Sequence, residues 1–236
     1  MQPKGKRDEL DAICREVILF SKRMAADGLV VGTSGNVSRR NGNLVAITPS
    51  GVDYNDLEPE DICLVDTGGT CIRSKKAPSS ELQLHLQVYD SSPAQAVVHT
   101  HSPYATALST VSDHVPPIHY ITMMLGGKIP VASYATFGTT KLADSIREAI
   151  AGTNSILLQN HGLVTIGKDL SIAYERAVQL EWMCKVYLIA KTYGEPKILT
   201  DGELGDVAFR REELIRYRAD FRAVDKLDKY LQDTGC

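Results

Sequence analysis

His99-Thr100-His101 closes an apolar run, AQAVVHTHS, and a further histidine, His161, lies in LLQNHGL. Side chains alternate along a strand, so residues two apart share a face. His99 and His101 can therefore grip one ion while Thr100 points away. His161 falls where two apolar stretches break, beside Gly162, which permits an unusual turn. Three neutral imidazoles suit zinc and leave room for a substrate oxygen. The plainer alternative is a set of core or surface histidines with ordinary hydrogen-bond partners, and spacing alone leaves both open. Glu81 follows Pro78-Ser79-Ser80. The serines can cap a helix that begins here, with Glu81 near its positive end. The same carboxylate can instead ligate an ion at rest and take a proton from substrate once displaced. His85, four residues on, shares that helix face. It is read as a partner of the cluster or a surface residue rather than a fourth histidine ligand.

Small polar loops complete the chemistry. Gly32-Thr33-Ser34-Gly35-Asn36 and Thr48-Pro49-Ser50-Gly51 gather hydroxyls and bare backbone N–H groups at one end of a sheet. Ser79, Ser80 and the helix start behind them form a third side. Oriented N–H groups of this kind can bind a phosphate without lysine or arginine.

These residues need elements to carry them. Leu10, Ile13, Val17, Phe20 and Met24 recur at three- and four-residue steps, which predicts a helix over 8–27 ending at Gly28. Asn41-Gly42 predicts a hairpin over 36–47. Strands are expected at 61–66 and 70–73, a helix over about 80–90, and a strand through AQAVVHTHS. A short helix (103–112), a strand (IPVASY), a helix (140–151), two buried strands broken at Asn160-His161-Gly162 and a long helix (169–193) follow. The last forty residues read as charged and partly helical. Short strands that pair mostly antiparallel, mixed with flanking helices, imply one α/β domain over 1–236, with a charged extension from about 195.

Composition excludes several classes. Hydrophobic residues make up 43% of the chain and the formal net charge is −3, from 26 basic and 29 acidic residues. That is globular, with no basic excess for nucleic acid. The start, MQPKGKRDEL, lacks an apolar signal region, and no run is long enough to cross a bilayer. Cys14, Cys63, Cys71, Cys184 and Cys236 include no C-x-x-C pair, which favours reduced thiols and a cytoplasmic setting, with most as core fillers and Cys236 in a loose tail.

In order, GTSGNVS, ITPSG, PSSE, VVHTHS, IHY, YATFGT and LLQNHGL resemble the class II aldolase/adducin family. The resemblance implies a three-layer α/β/α fold around a mostly antiparallel mixed sheet, and a homotetramer with active sites between subunits. It implies Zn2+, with Mn2+ or Co2+ as alternatives, on His99, His101, His161 and Glu81, and makes Glu81 the proton shuttle. It places the substrate phosphate among Gly35, Asn36, Ser50, Gly51, Ser79 and Ser80, with Thr33 beside them. Tyr120 matches a tyrosine that reaches a neighbouring subunit's site and protonates the aldehyde oxygen; otherwise it is an amphipathic surface residue. Phe137 matches an aromatic that shapes the aldehyde pocket. The implied reaction is reversible cleavage of a ketose 1-phosphate, such as L-fuculose 1-phosphate, into dihydroxyacetone phosphate and an aldehyde. Sugar-phosphate 4-epimerases of the family carry Asp at the Glu81 position and an extra acid near Tyr120-Ile121-Thr122, which this chain lacks. Phospho-keto-acid decarboxylases and methylthioribulose-phosphate dehydratases share its motifs. Adducin heads use the fold as a non-catalytic interaction module without the ligand set, which this chain keeps.

Overall fold

The computed structural model describes residues 4–234. Cys236 lies outside them. The described residues form nine strands and six α-helices. The strands make one sheet, ordered β4-β3-β2-β1-β5-β9-β8-β7-β6. They are β1 (Asn36–Asn41), β2 (Leu44–Ile47), β3 (Cys63–Asp66), β4 (Cys71–Arg73), β5 (Ala96–Thr100), β6 (His114–Val115), β7 (Ile129–Ala132), β8 (Ser155–Leu158) and β9 (Gly162–Gly167). Only the β7–β8 pairing is parallel among them. The rest run antiparallel, with β1 against β5 and β5 against β9 at the centre.

The helices are α1 (Lys4–Ala26), α2 (Leu82–Ser91), α3 (Pro103–Ser109), α4 (Thr140–Ile150), α5 (Leu170–Tyr193) and α6 (Asp201–Thr234). Two apolar clusters show how they layer. Val37, Ala96, Val98 and Leu163 pack with Cys14, Val17 and Met24 of α1 and Ala173, Ala177 and Leu180 of α5. Val45, Val97, Ile156 and Val164 pack with Leu84 and Val88 of α2 and Ile146 of α4. Neighbouring residues of one strand thus divide between two cores, as side-chain alternation requires. The result is the expected three-layer α/β/α arrangement with a mixed, mostly antiparallel sheet.

The same alternation positions the site. Val97 faces α2, so His99 does too, while Thr100 turns the other way and donates to Ser102. Asn36 is paired with His99 across the sheet, and Ser38 with Val97, so these two polar residues of β1 lie under α2 as well.

Several boundaries differ from the pattern-based expectation. β7 stops at Ala132, short of Tyr134, and α3 ends at Ser109 rather than 112. The two-residue strand β6 and the short 3-10 turn at Tyr120–Met123 carry no periodicity that would announce them. The partly helical tail is one long helix, α6. The serines before α2 do not cap it as expected. Glu81 itself holds the N-cap position without a side-chain cap bond, and the Ser79 hydroxyl accepts only from the Glu81 N–H. No helix among the described residues is long and apolar enough to cross a membrane. Cys14, Cys63 and Cys184 are buried, and Cys71 is exposed.

Candidate active site

Four segments converge at one end of the sheet. β5 delivers His99 and, just past its end, His101; the β8–β9 turn delivers His161; the start of α2 delivers Glu81. Their candidate ligand atoms all lie within 4.8 Å of one another. His99 Nε2 is 3.0 Å from His101 Nε2 and 3.1 Å from Glu81 Oε2, and His161 Nε2 is 3.1 Å from Glu81 Oε1.

Backbone geometry forces this convergence. Asn160 adopts a left-handed φ of 57°, which asparagine tolerates better than most residues. The turn is closed by His161 N–H to Leu158 O (3.1 Å) and braced by Asn160 N–H to Ser109 Oγ (3.1 Å). A Cβ on Gly162 would lie 2.0 Å from Thr100 O, so only glycine lets the turn press against the end of β5. On the other side Gly35, at φ 76°, also approaches the strand too closely for a side chain, since a Cβ there would meet His99 O at 2.7 Å. Beyond His101 the chain enters α3, whose Tyr104 and Ala105 N–H groups donate to the Glu181 carboxylate of α5 (2.9 and 2.7 Å). That carboxylate sits where a helix N-terminus favours negative charge.

The donor set fits a cation. His99 Nδ1 donates to Leu163 O at 2.8 Å, and a carbonyl only accepts, so the neutral ring presents a bare Nε2 to the cluster. Glu81 is buried, and among the described residues no donor meets its Oε1 in hydrogen-bond geometry. Lone pairs aimed at one another across about 3 Å repel unless something positive sits between them. In the metal-free protein a proton supplies that charge. Burial works against an ionised Glu81, but the charge of His99 and the closeness of His161 carry its carboxyl well below the usual range. Burial likewise lowers His99, and Glu81 more than restores it, leaving the ring above its ordinary value. His101, pressed by burial and then by the neighbouring rings, falls to about 3. An imidazole that stays neutral this far down is a ready metal ligand.

Beside the cluster lies a cleft of about 290 Å³. Thr33, Gly35, Asn36, Ser50, Gly51, Ser79, Ser80 and Phe137 all line it, together with Glu81, His101 and His161. None of the described residues lining it is Lys or Arg. Its loops are tied together. Pro49 and Pro78 form a bridge, Ser50 N–H donates to Ala77 O (2.9 Å), and Ser79 N–H donates to Thr48 O (3.1 Å). Asn36 carries a second set of contacts besides its place in the cleft wall. It is 3% exposed, and its side-chain amide is engaged with Glu81 and His85.

Tyr120 is not brought to this cleft. It is 56% exposed and stacks on His119 beside a separate, apolar hollow of about 630 Å³ against α6. That hollow is larger but holds no metal-ligating cluster, so the chemistry belongs to the smaller one. Sequence reasoning missed Tyr54, whose hydroxyl donates to Gly35 O (2.6 Å) and Ser34 O (3.0 Å) and so fixes the first loop. No spacing signal marks it. The buried pair Ser38 and Tyr89 was also missed, although Ser38 stands two residues from Asn36 in an alternating strand.

A three-layer α/β protein with a histidine–glutamate cluster opening onto a hydroxyl-lined cleft is the architecture of a metal-assisted enzyme acting on a small anionic substrate. Residues 15–188 match the family described as class II aldolase and adducin N-terminal domain. A 5-deoxy-D-ribulose 1-phosphate aldolase of Bacillus thuringiensis serovar kurstaki is 36% identical over 200 residues, covering 84% of this chain and 94% of its own. The L-fuculose phosphate aldolase of Escherichia coli K12 is 37% identical over 202 residues, covering 84% and 94%. A solved L-fuculose 1-phosphate aldolase superposes with a TM-score of 0.82 at 34% identity, over 85% of this chain and 96% of that one. The chain belongs to the class II aldolase and adducin family. Its curated relatives are aldolases, and it is an enzyme of that lyase class.

Proposed function

We propose that this chain is a zinc-dependent aldolase that cleaves a ketose 1-phosphate ending in a deoxy carbon into dihydroxyacetone phosphate and a short aldehyde. The observation that carries it is the convergence of three imidazoles and a carboxylate within 4.8 Å beside a cleft of hydroxyls and backbone N–H groups. The two aldolases named above act on L-fuculose phosphate and 5-deoxyribulose 1-phosphate. Both sugars end in a methyl group, and they differ in whether the aldehyde leaving is lactaldehyde or acetaldehyde. Phe137, 64% exposed at the rim, supplies an apolar surface against that end.

In this reading His99, His101 and His161 hold the ion and Glu81 completes its shell at rest. Bound zinc acts as a Lewis acid that stabilises the charge left when the carbon–carbon bond breaks. The Gly35, Ser50-Gly51 and Ser79-Ser80 loops hold the phosphate, so remote binding energy fixes the reacting carbons. On cleavage the bond between C3 and C4 breaks, its electron pair stays with C3, and the C4 hydroxyl loses its proton as the aldehyde forms. That proton leaves by way of Tyr120 to solvent, and Glu81, which takes a proton from solvent once substrate displaces it, delivers it to C3, giving dihydroxyacetone phosphate. In condensation the same carboxylate removes it. Tyr120, exposed and outside its own cleft, is assigned to the aldehyde oxygen in the site of a second copy, which agrees with the homotetramer that the family resemblance implies.

The test is release of dihydroxyacetone phosphate from L-fuculose 1-phosphate and from 5-deoxyribulose 1-phosphate, each with zinc and with chelator. Release from at least one sugar, abolished by chelation and restored by zinc, is expected. No release from either with zinc supplied sinks the proposal.

A further inference from the structure

Behind Glu81, away from the cleft, runs a chain of buried polar side chains that the reaction above does not use. Tyr89 Oη lies 2.7 Å from Ser38 Oγ, which lies 2.6 Å from His85 Nδ1. His85 Nε2 is 2.5 Å from Asn36 Oδ1, and Asn36 Nδ2 donates to Glu81 Oε2 at 2.8 Å. His85 has no exposed surface. It stands one helical turn after Glu81, over two β1 residues that share a face.

Protons in this chain can be placed in order. A carboxylate only accepts, so Asn36 presents its NH2 group to Oε2 and its carbonyl to His85. That carbonyl also only accepts, so His85 carries a proton on Nε2. The neutral ring then accepts at Nδ1 from the Ser38 hydroxyl, and Ser38 accepts from Tyr89. Every donor points toward Glu81, an arrangement in which successive bonds polarise one another.

We propose that His85 is a positioning residue for Glu81. Its Nε2 locks the Asn36 amide in one orientation, which tethers Oε2 and leaves Oε1 as the atom that exchanges the proton. The two ends of an asparagine amide are nearly identical in shape, so packing alone does not choose between them. Reversed, the amide would set its oxygen against Oε2 and push the carboxylate off the cluster. It would also set its NH2 group against the Nε2 proton. Oε1 has no such tether: it makes no hydrogen bond among the described residues and faces His161 Nε2 at 3.1 Å, on the side of the cluster. The assignment of the exchanging atom rests on the aldolase reading, whereas the lock on the amide does not.

Two measurements test it. In nitrogen-15 NMR of the metal-free full chain, His85 is expected to be protonated at Nε2 and bare at Nδ1; the opposite tautomer overturns the proposal. His85→Leu is expected to lower both zinc affinity and hydroxymethyl proton exchange on dihydroxyacetone phosphate by ~10–100-fold, with KM for the phosphate little changed. His85→Gln keeps a donor at the reach of Nε2 and is expected to restore most of both. A folded His85→Leu protein with unchanged zinc affinity and exchange overturns the role. Should His85→Leu not fold, the tautomer and the behaviour of His85→Gln decide it. Absence of exchange in the unsubstituted enzyme sinks the aldolase reading instead, and the tautomer and zinc affinities then settle the lock by themselves.

Discussion

His99 is fully buried, with its two ring nitrogens committed to Leu163 O and to the cluster, while Tyr120 is 56% exposed and leans on the ring of His119. The two ends of the molecule follow different rules. At the cluster, backbone and side chains are locked by close approach, as Gly162 and Gly35 against β5 show. At the flank beside α6, Leu214 and Ile215 are exposed apolar residues lining a broad hollow, and Phe209 and Tyr217 are exposed on the same helix. A site that must hold a cation within a fraction of an ångström needs the first kind of construction. A tyrosine with the role proposed for Tyr120, in the site of another copy, needs only to be presented on the surface.

The comparison can be broken at its strongest point first. Glu81→Gln is expected to keep the fold and, with zinc supplied in excess, to hold the ion on its three histidines, while proton exchange on dihydroxyacetone phosphate falls by ~10²–10⁴-fold. Unchanged exchange in a zinc-loaded protein would remove Glu81 from proton transfer. Next in size, Gly162→Ala is expected to destabilise folding by about 1–3 kcal/mol, because the added methyl meets the Thr100 carbonyl. Urea unfolding measures this, and a shift no larger than that of a surface change would show that the turn is less tightly held than its geometry implies.

The flank should behave in the opposite way. Tyr120→Phe is expected to leave stability within about 0.5 kcal/mol, as for other exposed positions, yet to lose turnover. Mixed subunits of Glu81→Gln and Tyr120→Phe should regain partial activity, since one interface then holds both intact groups. No regain on verified mixing places Tyr120 outside the partner's site.

The smallest effect is read by pH and belongs to the cluster alone. His85 and His101 are held at about 3, against an ordinary 6.5, chiefly by burial. The unfolded chain therefore binds more protons in that window, and metal-free stability falls as pH drops from 6.5 toward 3. His99 has the opposite sign. Its pKa is raised through Glu81, so its contribution is full below 6.5 and is lost as pH climbs through the raised value. Melting temperature of the metal-free protein should pass through a maximum near or just above 6.5, and Glu81→Gln should weaken the alkaline decline. A decline of unchanged size in that variant would separate His99 from Glu81.

Much of the fold was legible because periodicity reports which face a residue occupies. The Leu10–Met24 stripe, the Asn41-Gly42 hairpin and the buried strands on either side of His161 all follow from local pattern. The strand at His114–Val115 and the full length of α6 were not legible. Two residues are too few to show a period, and a charged helix with an exposed face carries no sharp apolar stripe.

For the site, the chain order of residues determined that His99 and His101 share a face and that Gly162 frees the turn beside His161, because alternation and glycine freedom are properties of the local backbone. Only the tertiary structure decided that Glu81 meets His99 and His161, that the Asn36 amide bonds the carboxylate, and that His85 is buried behind it. Those contacts join α2, β1, β5 and the β8–β9 turn across long stretches of chain. They are fixed by sheet register and by the packing of α2 on the sheet, which no local spacing encodes.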